Sequence, residues 1–127
     1  MRILIVEDEL IIAIDVEACL SEEGHQIVGI ARESKTALGL AQRLKPDLAL
    51  VDVRLVDGET GPEIARHLKE MGIPVLFMTA NASTLPDGMA GALGVIPKPV
   101  VPHVLKGAVR WAANRDLGPP DLLILNR

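Results

Sequence analysis

Aromatic residues are almost absent from this chain of 127 residues, which has one tryptophan, one phenylalanine and no tyrosine. The core must therefore be built from aliphatic side chains, because hydrophobic residues still make up 49% of the sequence. Cysteine is equally scarce, and the single Cys19 excludes both an internal disulfide and a cluster of thiol ligands. A chain of this length and composition is expected to fold as one domain.

The chain also lacks an excess of positive charge. Its 17 acidic residues outnumber 13 basic ones, and the net charge of −4 argues against binding to nucleic acid or anionic membranes. Proline or glycine interrupts the longest uncharged stretches, so none of them predicts a transmembrane helix. The first ten residues, MRILIVEDEL, carry three acids and do not resemble a signal peptide, so we expect a cytoplasmic protein.

What is present is an alternation of short apolar runs with amphipathic stretches, which is typical of a parallel α/β sheet. The predicted strands are residues 2–6, 26–31, 48–52, 74–79 and 94–97. The predicted helices are residues 9–23, 34–44, 62–70 and 102–115, and Ser34 can cap the second of them. On the first helix we expect Ile11, Ile14 and Ala18, with Leu10 and Val16, to face the core. The pattern predicts an α/β fold with a doubly wound, five-stranded parallel sheet.

Two segments fit this pattern poorly. Between Thr79 and Gly94, Pro86 and two glycines predict that the fourth helix is short or disrupted. The C-terminal segment breaks at Gly118 and two prolines before a short apolar run, Leu122 to Leu125. That run is either a frayed tail or a strip that docks on its own domain or on a second subunit.

Polar residues follow the predicted strands at the point where each strand ends. Glu7 and Asp8 follow the first strand, Asp52 ends the third, Thr79 ends the fourth and Lys98 follows the fifth. In an open parallel sheet, ligands bind at the carboxyl ends of the strands. We therefore expect these five side chains to form one site.

The chemistry of these side chains points to phosphoryl transfer. Three neighbouring acids repel one another unless a cation neutralises them, and oxygen ligands favour Mg²⁺, with Mn²⁺ as the alternative. Lys98 supplies an ammonium group and Thr79 a hydroxyl, both suited to the oxygens of a phosphoryl group. Asp52 is then the natural nucleophile.

Four short motifs carry a resemblance to a known family. They are IVEDE at the acidic pair, LALVDV at Asp52, VLFMTA at Thr79 and PKP at Lys98. With these motifs in this order over residues 1–116, the chain resembles the receiver domain of response regulators in two-component signalling. The resemblance implies a flavodoxin-like fold with strand order 2-1-3-4-5, and it leaves residues 117–127 as a C-terminal tail.

The resemblance also implies site roles. Asp52 would accept a phosphoryl group from a histidine kinase or a histidine phosphotransfer protein, Thr79 would be the switch hydroxyl and Lys98 the phosphate contact. A cis peptide bond between Lys98 and Pro99 is expected as well. The chain would catalyse its own phosphorylation and dephosphorylation without being a conventional turnover enzyme.

The implied metal site uses the same edge of the sheet. Asp8 and Asp52 would bind Mg²⁺ together with the backbone carbonyl of Arg54, and Glu7 would act through water. By the same analogy, Arg54 and Asn81 flank the path of the attacking water and set the lifetime of the phosphoryl group. The alternative is that the Arg54 side chain only pairs with Glu7 or Asp57 at the surface.

The chain departs from the usual receiver pattern at two places. Val95 stands where most receivers have an aromatic residue, so we expect phosphorylation to reshape the 80–92 loop rather than rotate a ring. Leu55 and Val56 replace the usual Met-Pro, and the loop instead carries Gly58 and Gly61. The stretches GHQIVGIAR and VRLVDGETG are similar to receivers of stress-response and HWE-type kinase systems.

The leading hypothesis is a phosphoacceptor receiver that signals by protein contact or acts as a phosphate sink. One alternative is a receiver-fold interaction module that is not phosphorylated. Another is a haloacid-type phosphohydrolase, which would need an acid where the chain has Arg54. The broad apolar surface of the first helix predicts docking of the kinase or phosphotransfer protein there, and a homodimer is a further candidate assembly.

Overall fold

The computed structural model describes residues 1–126 and confirms the predicted alternation, with element ends displaced by at most two residues. The strands are β1 Arg2–Val6, β2 Gln26–Ala31, β3 Leu48–Asp52, β4 Val75–Thr79, β5 Gly94–Pro97 and β6 Ile124–Leu125. The helices are α1 Leu10–Glu22, α2 Ser34–Leu44, α3 Gly61–Glu70 and α4 Pro102–Ala113. Within residues 1–126, no helix combines the length and apolar character that crossing a membrane requires.

The strands lie in the order β2-β1-β3-β4-β5-β6, and β1 to β5 are parallel. The predicted order 2-1-3-4-5 is confirmed for these five strands. The predicted count of five is wrong, because residues of the C-terminal tail add β6 antiparallel to β5. A two-residue strand has too little sequence pattern to be recognised before the sheet edge that it pairs with is known.

The tail docks on its own domain, which decides between the alternatives left open by the sequence. Ile124 pairs with Val95, and Leu125 pairs with Gly94. A Cβ at Gly94 would lie 2.5 Å from the Ile124 carbonyl oxygen, so glycine permits this close approach. The Asn126 side chain then donates to the carbonyls of Gly88 and Ala92 at 3.0 and 2.7 Å. Arg127 lies outside the described residues, and the division at residue 116 stays a prediction.

Side chains of each strand alternate between two cores, one on each face of the sheet. Leu4 and Val6 face the core covered by α2 and α3, whereas Ile3 and Ile5 face the core covered by α1 and α4. All five residues of β3 are buried, because this strand lies in the middle of the sheet with both faces covered. Asp52 at its end is therefore brought into a largely dehydrated position.

The predicted disruption of the fourth helix is confirmed. Two 3₁₀ turns, Ala82–Thr84 and Asp87–Gly91, connect β4 to β5 where a receiver would place a helix. Gly88, Met89 and Ala90 all have positive φ, which no right-handed helix accommodates. The second of these turns packs against α3, and Asn126 binds the carbonyls of Gly88 and Ala92 there.

The predicted buried face of α1 is largely wrong. Ala13, Val16 and Leu20 face the core, whereas Ile11 is 78% exposed and Leu10 60% exposed. Ile14 and Ala18 are exposed as well. The stretch LIIAIDVEACL is apolar almost all round, so its periodicity does not select a face, and packing against the sheet makes the selection.

The predicted cap of α2 is also wrong. The cap is Glu33, whose side chain accepts a hydrogen bond from the Thr36 backbone N–H at 2.6 Å. Ser34 is the first helical residue, and its hydroxyl donates to Asp57 at 2.6 Å. A hydroxyl next to a carboxylate from another loop bonds to the charge in preference to its own backbone.

Candidate functional site

The sheet brings the predicted site residues to one edge. Glu7 and Asp8 follow β1, Asp52 and Thr79 end β3 and β4, and Lys98 follows β5. These four strands are consecutive neighbours and run in the same direction, so their carboxyl ends meet. Tertiary structure thus assembles residues that are separated by up to 91 positions in the sequence.

Three carboxylates form the floor of the site. Glu7, Asp8 and Asp52 each offer an oxygen within 4.8 Å of the other two. The Glu7 side chain is fully buried, Asp52 is 8% exposed and Asp8 is partly exposed. Three converging oxygen ligands of graded exposure match what Mg²⁺ prefers in proteins, since this ion keeps several waters and takes few carboxylates.

Lys98 bridges two of these acids. Its Nζ donates to Glu7 Oε1 at 2.7 Å and to Asp52 Oδ2 at 2.9 Å. The Lys98–Pro99 peptide bond is cis, as the sequence predicted. One ammonium group therefore faces three carboxylates, and the surplus negative charge fits a divalent cation.

The protonation of Glu7 reflects burial first and the nearby negative charge second. Burial and the neighbouring Asp52 together raise its pKa from 4.5 to about 7, against the opposing effect of Lys98. Burial acts to lower the pKa of Lys98, but its bonds to Glu7 and Asp52 outweigh burial and hold that pKa above the usual value. Lys98 therefore stays charged, and its single positive charge does not balance the carboxyl groups of the site.

The Thr79 hydroxyl lies on the loop side of the site. Its Oγ accepts a hydrogen bond from the Asn81 backbone N–H at 3.2 Å. Asn81 in turn accepts from the Ser83 N–H at 3.2 Å and caps the first 3₁₀ turn. Thr79 is thus joined through Asn81 to the 80–92 connection that was predicted to respond to phosphorylation.

The Arg54 side chain does not join the acidic group. It is 78% exposed and pairs with Glu59 at 2.8 Å. The predicted surface partner, Glu7 or Asp57, is therefore wrong, because Glu7 is buried behind Lys98 and Asp57 is engaged elsewhere. The role of Arg54 and Asn81 in phosphoryl lifetime stays a prediction.

Val95 stands at the position where most receivers have an aromatic residue. It is fully buried in the same core as Phe77 and Ala92. The buried Val95 therefore offers no ring that could rotate between a buried and an exposed position.

Sequence reasoning named Gly61 and Asp57 in the loop that follows Asp52 but missed what each does there. A Cβ at Gly61 would lie 2.2 Å from the Asp52 carbonyl oxygen, so the start of α3 packs directly on the backbone of the site. The Asp57 carboxylate bonds to both Ser34 and Thr60. The Asp57-Gly58 pair was the available signal, since this dipeptide marks turns.

Comparison with known proteins agrees with the geometry. The sequence profile of the response regulator receiver domain matches residues 3–110. The chain belongs to the response regulator receiver family. Receiver domains bind Mg²⁺ at an acidic site and interact with kinases, and the acidic group of this receiver is compatible with such an ion.

Two curated relatives are longer than this receiver. The chain is 42% identical to the phyllosphere-induced regulator PhyR of Methylorubrum extorquens over 81 residues, 62% of the chain and 30% of that protein. It is 35% identical to the transcriptional regulatory protein PdtaR of Mycobacterium tuberculosis over 90% of the chain and 57% of that protein. The chain thus spans only about a third to a little over half of these relatives.

Solved structures show the same fold. The signal receiver domain of a modulated diguanylate cyclase from Desulfovibrio desulfuricans matches with a TM-score of 0.81 at 28% identity, over 90% of this receiver and 94% of that chain. The response regulator PhyR from Brucella abortus matches with a TM-score of 0.70 at 31% identity, over 91% of this receiver and 53% of that chain. PhyR is a stress response regulator, in agreement with the predicted subfamily.

Proposed function

We propose that this receiver takes a phosphoryl group from a histidine kinase or histidine phosphotransfer protein onto Asp52. The observation that carries the proposal is the double hydrogen bond of Lys98 to Glu7 and Asp52 within a group of three converging carboxylates. A charge cluster of this kind would destabilise the fold without a ligand that uses it. A divalent cation would bind the carboxylates of this cluster, and a phosphoryl group would bind Lys98.

The placement of the side chains supports this reaction. An Asp52 carboxylate oxygen attacks the phosphorus of the phosphohistidine, and a P–O bond forms while the P–N bond breaks. The electron pair of the broken bond returns to the imidazole. Lys98 already bonds to Asp52 Oδ2, so its ammonium is within reach of a phosphoryl oxygen on that carboxylate. The Thr79 hydroxyl can donate to another phosphoryl oxygen.

The metal site would use Glu7, Asp8 and Asp52 together with the backbone carbonyl of Arg54. Bound there, Mg²⁺ or Mn²⁺ would neutralise negative charge on the acids and on the transferring group. Dephosphorylation then restores Asp52, because water attacks the phosphorus, the P–O bond to the carboxylate breaks and inorganic phosphate leaves. The receiver would signal by protein contact while it is phosphorylated, or act as a phosphate sink.

The protein donor would dock on the N-terminal half of α1. This helix begins three residues after Glu7, and its exposed Leu10, Ile11 and Ile14 form an apolar surface next to the site. A donor histidine must approach within bonding distance of Asp52, so the docking surface has to border the site. Exposed aliphatic side chains of this size are a common anchor for a helical partner.

The test is labelling with a small phosphodonor and Mg²⁺, followed by intact-protein mass. We expect one added phosphoryl group on the wild type, none on Asp52→Asn, and none after chelation of the metal. The matched control is Asp47→Asn, which makes the same change beside the opposite end of β3 and should still be labelled. Failure to label the wild type under conditions that label other receivers would favour the interaction module that is not phosphorylated.

A further inference from the structure

Besides the Arg54–Glu59 ion pair and a long bond from the Val56 N–H to the Arg32 carbonyl at 3.4 Å, the loop between Asp52 and α3 is held at three places. Leu55 and Gly58 exchange backbone hydrogen bonds at 2.8 and 3.0 Å and close a tight turn. The Gly61 N–H donates to the Val53 carbonyl at 3.0 Å and fixes the far end of the loop. The third attachment is the side chain of Asp57, at the tip of the turn.

Asp57 joins this tip to the first residues of two helices. Its Oδ2 accepts from the Ser34 backbone N–H at 3.2 Å and from the Ser34 hydroxyl at 2.6 Å. Its Oδ1 accepts from the Thr60 hydroxyl at 2.6 Å. The bonds from Ser34 and then Thr60 hold the pKa of Asp57 below its usual value, so the carboxylate is ionised at neutral pH.

Capping of α2 accounts for only one of these contacts, the bond from the Ser34 backbone N–H. The Glu33 side chain already caps that helix through the Thr36 N–H at 2.6 Å. Thr60 stands at the start of α3, yet its hydroxyl bonds to Asp57 and makes no side-chain cap. Beside the long bond from the Val56 N–H to the Arg32 carbonyl at 3.4 Å, Asp57 provides the side-chain tie from the loop that follows Asp52 to the body of the domain.

We infer that Asp57 is a positioning residue for the metal site. It holds the 53–60 loop in the conformation in which the Arg54 carbonyl can serve as a ligand beside Asp52 and Asp8. This inference rests on the proposed function, because Arg54 is a ligand only if the receiver binds a divalent cation. Without Asp57 the Arg54 segment loses its side-chain tie to α2 and keeps its backbone bonds, the Arg54–Glu59 pair and the buried side chains of Val53 and Leu55. Part of the cost of ordering the segment then falls on metal binding.

The test compares two variants that remove the same charge from neighbouring loops. Asp57→Ala cuts the tie between loop and domain, whereas Glu33→Ala removes a cap of α2 and leaves the 53–60 loop attached. Labelling by a small phosphodonor is followed as Mg²⁺ is titrated, with unfolding by urea measured in parallel. A merely structural role would change the unfolding curve without changing the half-saturating Mg²⁺ concentration.

We expect Asp57→Ala to raise the half-saturating Mg²⁺ concentration at least about threefold, with Glu33→Ala unchanged. Ser34→Ala removes only one hydroxyl donor and should give a smaller rise, which keeps the test valid if Asp57→Ala is unstable. In the Asp57→Ala background, Ser34→Ala should add nothing, because the bond is already lost.

Wild-type labelling with an unchanged Mg²⁺ dependence in both Asp57→Ala and Ser34→Ala would overturn this inference and leave the proposed function intact. An equal rise in Glu33→Ala would also overturn it, since the effect would then come from charge alone. Absence of labelling in the wild type would instead remove the proposed function itself.

Discussion

The buried Glu7 should lower the free energy of unfolding of the metal-free receiver as the pH rises from about 5 to about 8. An unfolded glutamate loses its proton near pH 4.5, whereas burial keeps Glu7 protonated in the folded state up to about pH 7. Between these values the folded state binds more protons, so the free energy of unfolding falls with rising pH and becomes level above about pH 7.

The size of this effect follows from the pKa. The rise from 4.5 to about 7 corresponds to a loss of about 3 kcal/mol, since each pKa unit is worth about 1.4 kcal/mol. Glu7→Gln keeps the shape of the side chain without a titrating proton, so the variant should lack this decline. The lowered pKa values of Asp57 and Glu33 change stability only in acid, below their ordinary values of 3.8 and 4.5. Their effect therefore lies outside the pH range of this test.

The assay is urea unfolding in the presence of a chelator, followed by the fluorescence of Trp111. The quantity compared is the difference in unfolding free energy between wild type and Glu7→Gln at each pH, which cancels titration of His25 and other groups common to both. Parallel pH dependences for the two proteins would refute the reasoning. Addition of Mg²⁺ to the wild type should restore stability most at the alkaline end, because the ion binds the ionised site.

Two further changes test the packing of the site and the docking surface. Gly61→Ala would place a Cβ 2.2 Å from the Asp52 carbonyl oxygen. We therefore expect the free energy of unfolding in urea to fall by about 2 kcal/mol and labelling to slow. The control is Gly39→Ala, which adds a Cβ in open space on α2 and should stabilise the receiver. Ile11→Asp should slow transfer from a phosphorylated histidine protein and leave labelling by a small phosphodonor unchanged. Met71→Asp is its control at another exposed apolar position, and equal slowing by both would contradict docking on α1.

The strands and the membership of the site were predictable from local pattern, whereas the strand order was implied by the resemblance to receiver domains. Apolar runs that end in Glu7-Asp8, Asp52, Thr79 and Lys98 are short-range features, and parallel pairing carries their ends to one edge. The broken connection from β4 to β5 was predictable for a similar reason, since proline and glycine act on their own backbone. These predictions needed no knowledge of which residues lie far apart in sequence and close in space.

Predictions failed where several partners of similar chemistry competed. The apolar residues of α1 offered more than one face, and contact with the sheet chose Ala13, Val16 and Leu20. Ser34 was a reasonable cap, but its hydroxyl found the Asp57 carboxylate from another loop. Arg54 likewise paired with Glu59, because the expected alternatives were already bonded elsewhere.

The sequence by itself determined the fold class and the five polar residues at the ends of the strands, because backbone preference and hydrophobic pattern are local properties. The order of the parallel strands came from the resemblance of its motifs to receiver domains. Only the tertiary structure decided the pairing of β6 with β5, the bonds of Lys98 to two acids and the tie from Asp57 to α2. Each of these depends on distance and dehydration between segments remote in the chain. These distances and this dehydration arise only once the helices have packed on both faces of the sheet.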